Sequence, residues 1–192
     1  MTDLAHTHAP SGELSVARLR IVDAARSLFS SRGYERTPLR LVADALGITK
    51  AAVYHHFRAK DDLLAAIVTP LLRRLDDLLA AIPAGPLTDA GRRDLLRRYI
   101  EALASAPEVT VLLLRDLGVA QHPLGLRFAA QRERIRALLG PGDDPATAIR
   151  TTAAVGALEL AVIEFGRDHP EEVPETALGI AIAVLDSGGA VA

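Results

Sequence analysis

The chain has 192 residues, 49% of them hydrophobic, with a formal net charge of −2 and neither cysteine nor tryptophan. That length and apolarity suffice to bury a sizeable core, in one large domain or two small ones. The lack of cysteine excludes disulfides, thiolate metal sites and a cysteine nucleophile.

Charge is unevenly distributed. The first 60 residues carry nine Arg or Lys against five Asp or Glu, and the remainder carries 13 against 19. Such asymmetry suggests that the first part faces a polyanion. Leu and Ala dominate, which favours helix, and no alternating apolar pattern is long enough for a sheet.

In chain order, residues 1–14 (MTDLAHTHAPSGEL) lack the basic start and apolar core of a secretory signal. They read as a disordered arm. No apolar run reaches the ~18 residues of a membrane span, so no membrane partner is expected and a cytoplasmic location is.

The first helix is predicted from Ser15 to Arg32, with Ile21, Val22, Ala25, Leu28 and Phe29 at helical spacing and Gly33 as its stop. Thr37-Pro38 reads as the start of a second helix, capped by Thr37 and ended by Gly47. Thr49 is expected to cap a third helix through Phe57. A fourth runs from near Lys60 to about Ala81, where Ile82-Pro83-Ala84-Gly85-Pro86 breaks it.

Further helices are expected over Thr88–Ser105, Pro107–Gln121, Leu124–Leu139, Asp144–Phe165 and Pro174–Ser187. The fold class is therefore all-α, with about nine helices. The expected division is an arm over 1–14, a first helical domain over 15–60 and a larger helical domain over 61–192. The fourth helix bridges the last two as a rigid rod.

Residues 39–57, LRLVADALGITKAAVYHHF, place two short helices about Gly47. A helix-turn-helix needs a tight turn, often with glycine, and a small residue where its helices touch. Gly47 and Ala43 meet those needs, and Val42, Leu46, Ile48 and Val53 supply a shared core. The outward face of the second helix then carries Lys50, Ala51, Ala52, Tyr54 and His55, in position to enter a major groove.

From Arg20 to Leu64 the sequence resembles the TetR family of transcription regulators. The resemblance rests on Ile21-Val22, Ala25, Leu28-Phe29, Gly33-Tyr34, Thr37, Val42-Ala43 and Gly47-Ile48-Thr49-Lys50. It continues through Val53-Tyr54-His55-His56-Phe57 and Lys60-Asp61-Asp62-Leu63-Leu64. It implies an operator-binding repressor that acts as a homodimer.

Carried over residue by residue, it assigns Thr37 and Thr49 to phosphate contacts through hydroxyl and backbone N–H groups. Lys50 is assigned to a base edge or phosphate, and Tyr54, His55 and His56 to phosphates or bases. Lys60 is assigned to a phosphate. Ala51 and Ala52 can touch a thymine methyl but cannot hydrogen-bond a base, so specificity is expected to lean partly on DNA shape.

The last two predicted helices are rich in small residues, including Ala153, Gly156, Ala157, Ala177, Gly179 and Ala183. That pattern suits a homodimer interface. The resemblance further implies an unidentified small-molecule effector among the central helices. Tyr99, Arg115, Asp116, His122, Glu159 and Glu164 are the candidate ligand contacts. The plainer reading of these six is mutual pairing or exposure to solvent, because buried charges are costly unless paired.

No cofactor or metal is implied, and nothing points to catalysis. There is no glycine-rich phosphate loop, no serine elbow and no His-Glu-x-x-His helix. The competing reading is a helical ligand-binding or interaction module that has lost DNA binding.

Overall fold

A computed structural model describes residues 11–140 and 144–187, with side chains described from residue 16 onward in the first helix. Residues 1–10 of the expected arm lie outside the described residues. The described residues form ten helices and no strand.

They run α1 (Ser11–Arg32), α2 (Leu39–Leu46), α3 (Lys50–His56), α4 (Lys60–Ala80) and α5 (Asp89–Ala104). Then follow α6 (Pro107–Arg115), α7 (Leu117–Gln121), α8 (Pro123–Leu139), α9 (Pro145–Phe165) and α10 (Val173–Asp186). The chain divides into two compact units inside α4, between Ile67 and Val68. That division lies seven residues beyond the expected Lys60 boundary.

The first unit is built on the apolar stripe of α1. Ile21, Ala25 and Phe29 are buried, and Val42, Ala43 and Val53 from α2 and α3 join them in its core. α1 starts at Ser11, four residues before the predicted Ser15, so residues 11–14 belong to the helix and not to an arm. Gly47 ends α2 with φ +66° and ψ 28°, and its N–H meets the carbonyl ends of Ala43 and Asp44. This left-handed geometry costs a residue with a Cβ roughly 1–2 kcal/mol, which is why the sequence turns here.

The second unit is a bundle in which α9 packs against α5, α6, α8 and α10. α9 has 21 residues and is long and apolar enough to cross a membrane, longer than any uninterrupted apolar run in the sequence suggests. Its role here is that of a bundle helix. Ala154, Val155, Leu158 and Val162 are buried in the core, together with a carboxylate, Glu159.

Two expectations give way to local chemistry. The helix predicted over 107–121 breaks at Asp116, whose backbone is extended (φ −88°, ψ 112°) and whose carboxylate accepts from the Val119 N–H at 3.0 Å. A side chain that caps so well outcompetes helix continuation. α7 then turns directly into α8, and a Cβ on Gly125 would sit 1.9 Å from the Val119 carbonyl oxygen, so only glycine allows that approach. Finally, α2 begins after Pro38, with no side-chain cap. The Thr37 hydroxyl turns back instead and donates to the Gly33 carbonyl at 2.8 Å.

Two tyrosines link the fold to pH. Tyr99 is fully buried and donates to Glu159 Oε1 at 2.8 Å. Burial, and then the nearby Glu159 charge, push its pKa well above the ordinary tyrosine value. Burial and the hydrogen bond to Asp61 likewise push Tyr34 up. The folded chain thus holds protons that the unfolded chain releases near pH ~10. Their stabilising contribution is complete below about pH 10 and is lost as pH rises through it. Melting temperatures should accordingly fall as pH rises above about 10, and Tyr99→Phe should flatten that fall; a wild-type profile as flat as the variant's would exclude the linkage.

Candidate nucleic-acid interface

α3 is seven residues long and is set by three local devices. The Thr49 side chain accepts from the Ala52 N–H at 3.1 Å and caps its start. Val53 is fully buried and anchors its inner side. Phe57 follows the last turn, is 2% exposed, and carries the Arg18 guanidinium 4.7 Å from its ring centroid. With the inner side held, Lys50, Ala51, Tyr54 and His55 lie on the solvent side and Ala52 is half-buried.

The outward groups are organised among themselves. Lys50 Nζ lies 5.3 Å from the Tyr54 ring centroid, a distance for cation–π attraction. Tyr54 remains 43% exposed, so a large amphipathic ring faces water where packing within its own unit leaves it uncovered. His55 and His56 meet edge to face at 5.3 Å. His56 is half-buried; burial, then its neighbours His55 and Arg18, hold its pKa below the ordinary histidine value.

Lys60, at the start of α4, has a structural task as well. Its Nζ sits 4.0 Å from the Tyr34 ring centroid and donates to the Glu35 carbonyl at 3.3 Å. The buried Tyr34 hydroxyl donates to Asp61 one residue on. The α1–α2 connection and the start of α4 are thus tied through one aromatic ring.

The structure corrects one assignment. Thr37 is 0% exposed, its hydroxyl donates to Gly33, and its N–H donates to the Tyr34 carbonyl at 3.0 Å. With both groups engaged inside the fold, neither is presented to a phosphate.

The six candidate ligand contacts do not converge. Tyr99 and Glu159 meet in the bundle core, and Arg132 completes the group with Nε 2.6 Å from Glu159 Oε1. Arg132 is the partner that sequence reasoning missed, because it lies 27 residues away on a helix with a polar face. Arg115 and Glu164 pair with each other at the surface. Asp116 caps α7 and His122 caps α8, the latter accepting from the Leu124 N–H at 3.2 Å. Four of the six thus pair with one another, Tyr99 with Glu159 and Arg115 with Glu164, whereas Asp116 and His122 are half-buried helix caps.

A two-helix element turned on a left-handed glycine, with a polar and aromatic face left to solvent, defines the class: a helix-turn-helix transcription regulator. Comparison with known proteins gives the family. The profile of the bacterial regulatory proteins of the tetR family matches residues 21–67.

The chain is 34% identical over 105 residues to the HTH-type transcriptional repressor Rv1474c of Mycobacterium tuberculosis, a match covering 54% of each protein. It is 30% identical over 139 residues to the HTH-type transcriptional regulator BetI of Rhizobium meliloti, covering 67% of this chain and 68% of that one. The chain thus spans about half the length of the first relative and about two thirds of the second. In fold it resembles the ketosteroid transcriptional regulator KstR2 of Mycobacterium tuberculosis, with a TM-score of 0.69 at 18% identity, covering 94% of this chain and 96% of that structure. The chain belongs to the TetR family of bacterial regulatory proteins.

Proposed function

We propose that this chain is a repressor that grips operator DNA as a homodimer and lets go when a small molecule binds its second unit. The observation that carries this reading is the exposed face of α3, where Lys50, Ala51, Tyr54 and His55 stand on a helix held rigidly from behind. Thr49, Ala52, His56 and Lys60 flank it. Helix-turn-helix proteins place such a face against base edges, with cations and helix N-termini on phosphates. A protein that meets the chromosome this way works in the cytoplasm.

A single α3 makes too few contacts for tight specific binding, whereas a dimer spans half-sites about 34 Å apart or a multiple of that. α9 and α10 supply a surface for it. Ile149, Leu160, Phe165 and Ile180 are all more than half exposed, and Ala153, Gly179 and Ala183 also face solvent. Large apolar side chains interspersed with small ones let helices of two copies approach closely. Ala154, Ala177 and Ala181, by contrast, are used inside the chain. Release follows if the ligand favours a dimer geometry whose reading helices no longer match successive grooves.

Fluorescence anisotropy with the protein's own upstream DNA at two salt concentrations tests the DNA reading. Affinity should fall steeply with salt, because phosphate contacts release counterions. Lys50→Ala should weaken binding to all duplexes alike and lower the slope of log affinity against log salt by about one. A salt-independent affinity, or an unchanged slope in that variant, would remove the role given to Lys50.

A further inference from the structure

α5, α9 and α10 line an open surface cavity of about 240 Å³ that none of the six sequence-derived ligand candidates lines. Its cations are Arg92 and Arg93 from the first turns of α5 and Arg150 from the first half of α9. Ile182 and Leu185 from the last turns of α10 form an apolar floor.

The guanidinium groups are under-used. Arg92 bonds to Asp89, Arg93 Nη2 lies 3.0 Å from Asp186, and Arg150 Nη2 donates to Thr147 Oγ1 at 2.9 Å, with the Asp144 carboxylate 3.9 Å away. A guanidinium has five N–H donors. Most of the donors around this cavity therefore meet no acceptor among the described residues. Each of the three cations has one carboxylate beside it, Asp89, Asp186 and Asp144, and α5 and α9 enter by their electropositive N-terminal ends while α10 enters by its C-terminal end.

We propose that this cavity is a binding site for a small oxyanion, a carboxylate or a phosphate monoester, that carries a short apolar group. The planar guanidinium forks match either head group in bidentate fashion, and Ile182 and Leu185 receive the tail. The volume is below the usual range for drug-sized ligands, which sets the size of the guest. Its part as an effector site rests on the proposed function; the binding itself does not.

Calorimetric titration of the full chain with butyrate and with butyl phosphate, at fixed ionic strength, tests the proposal. At least one should bind saturably at one site per chain, and which one binds tells carboxylate from phosphate recognition. Arg150→Gln and Arg93→Gln should each weaken that binding by about tenfold or more. Arg93 has a side chain 56% exposed, so its substitution leaves the fold intact, as the melting temperature will verify. Failure of both probes to saturate at millimolar concentration, or binding that survives both substitutions, would overturn the site. Repeating the titration on the DNA complex separates the two ideas: saturable binding with unchanged DNA affinity keeps the site and discards the effector role.

Discussion

Replacing Arg132 with leucine should destabilise the second unit by about 3 kcal/mol, the low end of the range for breaking a buried ion pair. Glu159 is 4% exposed and receives its hydrogen bonds from the Tyr99 hydroxyl and from Arg132. Removing the cation leaves a carboxylate in the core with one neutral donor. The arginine side chain is itself 33% exposed, and that solvent access keeps the loss from being larger. The double variant Arg132→Leu with Glu159→Leu should recover much of the loss, because an apolar pair of similar volume needs no desolvated charge. Denaturant melts of the single and double variants measure this. A double variant as unstable as Arg132→Leu alone would show that packing, and not the stranded charge, carries the effect.

Phe57→Ala should cost about 3 kcal/mol and abolish DNA binding with it. Phe57 is 2% exposed, follows the last turn of α3, and carries the Arg18 guanidinium on its ring. The cavity left behind removes the stop that holds α3 at its C-terminal end, while Thr49 continues to cap the other end. Lys50→Ala offers the contrast: its side chain is exposed, with Nζ 5.3 Å from the Tyr54 ring centroid, so DNA affinity should drop with the melting temperature unchanged. Both are read from thermal melts beside anisotropy titrations. Retained DNA affinity in a destabilised Phe57→Ala would mean that α3 keeps its presentation without this anchor.

These two substitutions also separate the two ways in which the chain can lose function. One removes a proposed DNA contact from the exposed face of α3. The other removes the support that fixes the face in space, and a reading helix only seven residues long has little stability of its own.

Most of the first unit is legible in local sequence signals. The spacing of Ile21, Ala25 and Phe29, the stop at Gly33, the turn at Gly47 and the cap at Thr49 are local signals, readable within a few residues, and helical periodicity places Lys50, Ala51, Tyr54 and His55 outward as they are, though Ala52, expected beside them, is half-buried. Thr37 shows the limit of such reading. Its position before a proline matched a helix cap, yet the hydroxyl found a nearer acceptor at Gly33.

In the second unit the decisive partners are far apart in the chain. Tyr99 and Arg132 meet at Glu159 across 60 and 27 residues, and Arg92, Arg93 and Arg150 come together only when α5 and α9 pack beside α10. No periodicity encodes which polar residues of different helices will share a core or a cavity. Side-chain identity sets the cost of burying a charge, but only tertiary packing decides which charge is buried and what answers it.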